Sequence, residues 1–205
     1  MSSIIPIFPL RTVLFPHTPL CINIFEERYK EMIDDCLRRR ITFGVVALRE
    51  GNESEDNVVL EEVGTLAKIA CIEPSLSGGF LLMVTGATRF GVKELHRDKS
   101  YLQATVDFIG EDDELLKPYL LEKVLATFEN YIQMPLPELP KHPELLSYLI
   151  AATLEVRLST QQKLLECTTS TQRIIDELHI MNFEEHLAEQ EILQTRTDPK
   201  QFSAN

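Results

Sequence analysis

The chain has 205 residues, of which 44% are hydrophobic and 25% are charged, and its formal net charge is −12. This length and balance allow one large domain or two small ones with a packed core, and they exclude a mainly disordered chain. Because both halves of the chain are acidic, the composition also argues against a nucleic-acid-binding protein, whose affinity comes largely from a basic surface.

The sequence predicts a cytoplasmic protein. No stretch approaches the roughly 20 consecutive apolar residues that span a bilayer. The start of the chain lacks a basic segment and is interrupted by Pro6 and Pro9, unlike a signal peptide. The cysteines form no Cys-x-x-Cys pair, and we expect them to be small buried apolar residues in a reducing compartment: Cys21, Cys36, Cys71 and Cys167.

The first half of the chain predicts short β-strands with one helix among them. Between Phe25 and Leu37 the apolar residues recur at helical spacing, which predicts a helix with a single apolar face. Arg38–Arg40 end this helix, where cations are favoured by the helix dipole, and we prefer this role to an anion site. The predicted strands, rich in β-branched and aromatic residues, are Leu20–Ile24, Phe43–Leu48, Val58–Glu62, Thr65–Glu73, Phe80–Arg89 and Tyr101–Ile109.

The second half of the chain predicts helices. An apolar stripe in steps of four runs along the first of them, and prolines between residues 135 and 143 end it. A further helix is expected over Glu144–Arg157, a short one after an N-cap at Ser159, and a long one after an N-cap at Ser170 or Thr171, running to about Gln194. The stripe consists of Leu116, Leu120, Val124, Phe128 and Ile132.

These elements predict an α+β fold with segregated parts. The β-rich part is expected over residues 1–112 and the helical part over residues 113–194, with the boundary at the acidic turn near Gly110. Residues 195–205 are expected to form a flexible polar tail.

The motifs of common enzymes are absent from the sequence. The stretch from Gly86 to Lys93 resembles a phosphate-binding loop, but its lysine is one position late and no hydroxyl residue follows. Its glycines are better explained by a turn or bulge between strands. The histidines lack zinc-site spacing, and no Gly-x-Ser-x-Gly elbow occurs. We therefore predict no catalytic residue, no metal site and no cofactor.

Five blocks of sequence resemble the N-terminal, substrate-binding domain of Lon proteases. The first block leads through a Phe-Pro turn, and the second leads from a strand into a helix through Glu-x-Arg. One departure is visible, because the family turn usually has glycine where this chain has His17. The blocks, which occur in the family order, are Ile5–Pro16, Leu20–Tyr29, Glu62–Ile69 with Met83–Phe90, Tyr101–Val106, and Leu158–Cys167 with Arg173–Leu178.

The resemblance implies a PUA-like pseudo-barrel of mostly antiparallel strands with one inserted helix, followed by a C-terminal helical bundle. It also implies a non-catalytic module that binds unfolded peptide segments or a protein partner, without the ATPase and peptidase that follow in full-length Lon. The alternative is RNA binding, which many PUA-like barrels perform, although the acidic charge opposes it. The aromatic and proline cluster near the start is the expected binding surface: Phe8, Phe15, Pro16, His17, Phe25 and Tyr29.

Overall fold

A computed structural model describes the backbone of residues 2–50, 58–75, 78–111, 115–134 and 139–197, and side chains in these ranges up to residue 183. Within these ranges the chain forms six strands and five helices. The elements in chain order are β1 (Ser2–Leu10), β2 (Pro19–Ile24), α1 (Glu27–Arg39), β3 (Phe43–Glu50), β4 (Val59–Pro74), β5 (Phe80–His96), β6 (Gln103–Phe108), α2 (Pro118–Ile132), α3 (Pro143–Thr153), α4 (Leu158–Glu166) and α5 (Ser170–Thr197).

The strands form one mixed sheet that closes on itself. Its order is β2-β5-β4-β3-β1-β6, and β6 pairs in addition with β5, which completes a barrel. The β1–β3 pair is parallel and the other pairs are antiparallel. The predicted α+β fold is thereby confirmed, with α1 inserted between β2 and β3 and the remaining helices after the sheet.

Strand β5 is shared between two neighbours along its length. Its first residues pair with β2, and its last residues pair with β6. A register shift opposite Thr65 and Ala67 places a bulge between Gly86 and Arg89. The predicted break between Val58–Glu62 and Thr65–Glu73 is absent, because the chain runs through it as one strand, β4. Gly86 and Gly91 therefore lie inside a strand that bulges and does not turn.

The hydrophobic core has three parts. One lies between the sheet and α1 and contains Phe8, Tyr29 and Met32. A second fills the other end of the barrel around Phe90. The third holds the helices together, and the barrel contributes Phe15 to it. The helical part is therefore packed partly on the barrel.

The buried residues of α2 agree with the predicted apolar stripe, whereas the predicted N-caps of α4 and α5 do not agree with the observed helix starts. In α2, Leu120, Val124 and Phe128 are buried as expected. The predicted cap at Ser159 is wrong, because α4 begins earlier, after Arg157, with no side-chain cap. Before α5, Thr169 Oγ1 accepts a hydrogen bond from the Gln172 amide at 3.1 Å, so the cap lies before the predicted Ser170 or Thr171.

The predicted boundary at residue 112 lies outside the described residues, so the division into parts stays a prediction, and residues 198–205 of the predicted tail also lie outside them. In the part of the chain that the structure describes, no helix has both the length and the apolar character needed to cross a membrane.

Candidate functional site

An apolar groove opens between β1, β2 and the start of α1, and we call it the β2 groove. Its volume is about 260 Å³. Glu26 is the charged residue of its lining, and the other lining residues are apolar or neutral. The groove is lined by Phe8, Leu10, Thr12, Leu20, Cys21, Ile22, Asn23, Phe25, Glu26 and Tyr29.

Two stacked rings form the wall of the β2 groove. The rings of Phe8 and Tyr29 are buried, with centroids 4.1 Å apart and planes inclined by 16°. The Arg28 guanidinium lies 4.7 Å from the Tyr29 ring centroid, and its Nε donates to Glu26 at 2.9 Å. Phe25, in contrast, is 61% exposed. The groove thus has a fixed apolar wall and an aromatic side chain in contact with solvent.

An ionic cluster holds α1 in place beside the groove. Asp35 of α1 accepts hydrogen bonds from Lys99 and, at 2.6 Å, from the Tyr101 hydroxyl. The Lys99 ammonium and the Tyr101 hydroxyl lower the pKa of the Asp35 carboxyl to about 2. The carboxylate is therefore charged at neutral pH and ties α1 to the segment between β5 and β6.

A tight turn links β1 to β2 and requires a positive φ angle at position 17. The Thr18 amide donates to the Phe15 carbonyl at 3.3 Å, and His17 has φ 62°. With Pro16 at the second position, this is the pattern of a type II turn, which requires positive φ at the third position. Glycine satisfies that requirement most easily, so His17 keeps the turn at some conformational cost.

The turn packs against both parts of the protein. Gly86 approaches it so closely that a Cβ there would lie 2.1 Å from the Phe15 carbonyl oxygen. The Phe15 ring is buried against Tyr148 of α3, with centroids 6.2 Å apart. His17 Nε2 lies 2.9 Å from Glu144 Oε1, also in α3. The turn therefore forms part of the junction between barrel and helices.

The structure thus separates the predicted site residues into two groups. Phe8, Phe25 and Tyr29 meet in the β2 groove. Phe15 and Pro16 are buried at the junction, where they offer little surface to a partner, and His17 is exposed beside them. That these residues contact a partner stays a prediction, and the groove is where three of them are brought together.

The β2 residues that form one side of the groove are not among the site residues predicted from the sequence. The sequence places Leu20, Cys21 and Asn23 in a predicted strand and in a block that resembles the family, without predicting that they bind a partner. A signal was present: no lysine, arginine or carboxylate occurs between Pro19 and Ile24, although edge strands usually carry such residues. The signal is weak without the sheet order, because the sequence does not say which strand lies at an edge.

A buried arginine joins β5 to the helices. The Arg89 side chain is 1% exposed. Its Nε and Nη2 donate to the two carboxylate oxygens of Glu111 at 2.7 and 3.1 Å. Its Nη1 donates to the carbonyls of Leu165 and Cys167 at 2.8 and 2.7 Å. These carbonyls lie at the C-terminus of α4, where a cation is favoured by the helix dipole.

A second buried arginine, Arg173 of α5, extends this network. Its Nε donates to the Leu164 carbonyl at 2.9 Å, and its Nη1 donates to Ser147 Oγ at 2.8 Å. Its Nη2 donates to the Tyr148 hydroxyl at 3.0 Å, which in turn donates to Glu111 at 2.6 Å. Two arginines, one tyrosine and one carboxylate therefore fix α3, α4 and α5 relative to the barrel.

Glu177 is a buried carboxyl group that has no hydrogen-bond partner among the residues that the structure describes. Both of its side-chain oxygens are inaccessible to solvent and unpaired. Burial raises the pKa of Glu177 well above the ordinary carboxyl value, and Asp176 raises it further, against the opposing influence of Arg173. The folded protein therefore favours the protonated form of Glu177 more strongly than the unfolded chain does.

The raised pKa predicts that Glu177→Gln stabilises the protein increasingly as pH rises. A carboxyl group that is protonated when folded and ionised when unfolded contributes full stability below its unfolded pKa and loses it above. The loss amounts to about 1.4 kcal/mol per pH unit until the folded pKa is reached. Urea unfolding of the variant and the wild type at a series of pH values upward from 5 should show a difference in unfolding free energy that grows with pH until the folded pKa of Glu177 is reached.

The matched control for that measurement is Glu129→Gln, because Glu129 is exposed on α2. Its unfolding free energy should follow that of the wild type across the same pH range. A constant difference between Glu177→Gln and the wild type would mean that Glu177 is ionised in the folded state.

The described residues supply little for catalysis or metal binding. The prediction that the cysteines are buried is wrong for Cys21 and Cys71, which are exposed on strands. Burial raises the pKa of the Cys36 and Cys167 thiols to about 11, so neither is a thiolate at neutral pH. Within the described ranges, no group of three or more His, Cys, Asp or Glu residues is arranged to hold a metal ion. Lys93, from the apparent phosphate-binding motif, lies 3.4 Å from Asp107 across the sheet.

A second and wider depression lies in the helical part, with a volume of about 750 Å³. It is more polar and charged in its lining than the β2 groove. The lining consists of Glu155, Val156, Arg157, Thr160, His179, Ile180 and Phe183.

Comparisons with known proteins agree with this architecture. Residues 4–182 match the family model described as the ATP-dependent protease La (LON) substrate-binding domain. The Lon protease of Anaeromyxobacter dehalogenans is 28% identical over 197 residues, which cover 89% of this chain and 23% of the relative. Lon protease 2 of Myxococcus xanthus is 29% identical over 196 residues, which cover 89% of this chain and 24% of that relative.

Solved structures show the same fold. A Lon N-terminal domain protein from Xanthomonas campestris superposes with a TM-score of 0.73 at 23% identity, covering 86% of this chain and 98% of that one. The N-terminal domain of the Mycobacterium avium complex Lon protease superposes with a TM-score of 0.66 at 14% identity, and the match covers 88% of this chain and 98% of that one. The chain spans about a quarter of the length of the curated relatives, and the match lies in their substrate-binding domain.

Proposed function

The chain belongs to the LON substrate-binding domain family, and from that membership we propose that it recognises unfolded polypeptide segments or a protein partner without catalysing a reaction itself. The role expected for such a module is in proteolysis or protein quality control. The cytoplasmic location expected from the sequence is part of the same proposal.

The observation that carries the proposal is the β2 groove. An apolar recess with an exposed aromatic residue at its opening is the kind of surface that binds an apolar side chain of another polypeptide. Phe25 exposes 61% of its surface there, beside the buried stack of Phe8 on Tyr29. Unfolded segments expose apolar side chains that folded proteins bury, so this groove would select for the unfolded state.

The test uses lysozyme that has been reduced and alkylated with iodoacetamide, which keeps it unfolded without adding charge. We expect the wild-type protein to bind this substrate and not native lysozyme. We also expect Phe25→Ala to weaken binding by about tenfold, because truncating an aromatic anchor typically removes 1–2 kcal/mol or more, at roughly 1.4 kcal/mol per factor of ten. Fluorescence anisotropy of labelled lysozyme measures both.

Two controls accompany this measurement. Phe108→Ala truncates a ring that is 45% exposed but lies on β6, away from the groove, and should leave binding unchanged. Alkylated α-lactalbumin, an unfolded but acidic protein, separates recognition of apolar segments from attraction by the net charge of −12. Equal effects of the two phenylalanine variants would move binding away from the groove, and the depression around Phe183 would then be the place to look. Binding of RNA in place of unfolded protein would favour the alternative function.

A further inference from the structure

Strand β2 presents one complete edge of the sheet to the β2 groove. It pairs along its whole length with β5 and lies at the end of the strand order. Four consecutive β2 residues, from Leu20 to Asn23, line the groove. Successive side chains of a strand point to opposite faces, so a cavity that borders four in a row must run along the backbone edge.

The register identifies which backbone groups face the groove. The Gly86 amide donates to the Thr18 carbonyl at 3.0 Å, and the Gly86 carbonyl accepts from the His17 amide at 2.9 Å, so both backbone groups of Gly86 face the β2 side, where His17 and Thr18 oppose it as a bulge. Positions that face the same neighbour alternate along a strand. Leu20, Ile22 and Ile24 therefore direct their N–H and C=O groups at β5, opposite Val84, Leu82 and Phe80.

The N–H and C=O groups of Cys21 and Asn23 consequently point away from β5, on the side of the groove. No lysine, proline or other residue that usually protects an edge follows Pro19 within β2. The edge is therefore chemically ready to accept another strand, and it stands beside an apolar recess.

We propose that the segment bound in the β2 groove is an extended stretch of another polypeptide, which adds to β2 as a further strand and exchanges backbone hydrogen bonds with Cys21 and Asn23. This inference rests on the proposed function and specifies how the bound segment is recognised. In this arrangement the backbone supplies affinity for any sequence, and the groove selects the side chains on one face of the added strand.

The groove also defines the chemistry of the added strand. A volume of about 260 Å³ is below the range of pockets that hold whole small molecules and suits one or two apolar side chains. The one carboxylate of the lining, Glu26, is paired with Arg28 at 2.8 Å, so the charge that acts on an approaching segment is the net charge of −12 of the chain. The occupant is therefore an apolar, extended segment flanked by basic residues, whose approach the acidic surface would accelerate.

The test uses a synthetic peptide of about eight residues, alternating valine and threonine with a lysine at each end, which is a typical strand length. Single N-methyl groups are placed at successive positions, because each removes one backbone donor and adds bulk at that edge. With wild-type protein, we expect methylation at alternate positions to weaken binding about tenfold or more and methylation at the intervening positions to have little effect. Isothermal titration calorimetry provides the affinities.

A protein variant tests the same edge from the other side. Cys21→Pro removes an N–H that does not serve the β5 pairing, so the strand should be retained while peptide binding falls about tenfold or more. Cys21→Ala changes the side chain but keeps the backbone N–H, so the loss of affinity in Cys21→Pro beyond that in Cys21→Ala measures the contribution of the backbone donor. Circular dichroism and thermal melting establish that both variants are folded.

The outcomes separate this inference from the proposed function. Uniform effects of methylation along the peptide, with loss of binding in Phe25→Ala, would show capture by side chains only and would overturn the added strand while leaving substrate recognition intact. Absence of binding to both the peptide and alkylated lysozyme would overturn both. If Cys21→Pro does not fold, the methylation series on wild-type protein decides the question alone.

Discussion

We expect Arg89→Ala to lower the free energy of unfolding by about 3–5 kcal/mol, the range typical for breaking a buried ion pair by removing one partner. The substitution leaves Glu111 without its bidentate donor, and it leaves the Leu165 and Cys167 carbonyls without the Nη1 donor that both share. Chemical denaturation followed by circular dichroism measures the loss directly.

The matched control is Arg49→Ala. Arg49 also binds a carboxylate, that of Glu61 at 2.7 Å, but its side chain is 49% exposed. Exposed pairs of this kind contribute about 0–1 kcal/mol, so this variant should unfold close to the wild type. An unchanged denaturation midpoint for Arg89→Ala would mean that the buried Arg89 network contributes little to the junction between the barrel and the helices.

We expect Phe128→Ala to lower the free energy of unfolding by a similar amount, about 3–5 kcal/mol, for a different reason. The Phe128 ring is fully buried among the helices, so its removal forfeits apolar burial and leaves a cavity that the neighbouring helices fill only in part. Thermal melting should show the loss as a lower midpoint, and the protein that remains folded should still bind alkylated lysozyme, since the β2 groove lies in the barrel.

Phe183→Ala is the control for that experiment, because it removes the same ring from a helical position that is 65% exposed. It should melt near the wild-type temperature. If Phe128→Ala abolished binding while the barrel stayed folded, recognition would involve the helical part and not the β2 groove alone.

The sequence was most informative where structure follows from local periodicity. Leu120, Val124 and Phe128 recur every four residues, and this spacing alone places them on one buried face. Caps were predicted less well, because Ser159 and Thr169 are both suitable N-cap residues and tertiary packing decides where each helix begins.

Buried charges were the main feature that sequence reasoning missed. Arg173 and Glu177 stand four residues apart in α5, a spacing that ordinarily indicates an exposed ion pair on a helix surface. In the structure both are buried, and Arg173 binds carbonyl and hydroxyl groups of other helices instead. Arg89 was missed for a related reason, since the bulge after Gly86 changes which side chains of β5 point inward.

The candidate site was predicted only in part, because its geometry depends on the path of the chain and not on local pattern. Aromatic residues near the start of the chain indicate a cluster, but only the path of the turn at Pro16 determines that Phe8 and Tyr29 stack in the groove while Phe15 enters the helical core. The edge position of β2 depends on sheet order, which is a long-range property that no local pattern reports.

The pairing of β1 with β6 has a consequence for synthesis of the chain on the ribosome. Ser2 bonds to Asp107, 105 residues later in the sequence. At about 5–20 residues per second, roughly 5–20 s pass between the emergence of these two strands. During that interval the apolar segment around Ile5 and Ile7 has no β6 to pair with, so the β1 edge of the nascent barrel is unpaired. Slow translation before residue 108 would lengthen the period in which this protein itself presents the kind of exposed apolar segment that chaperones bind.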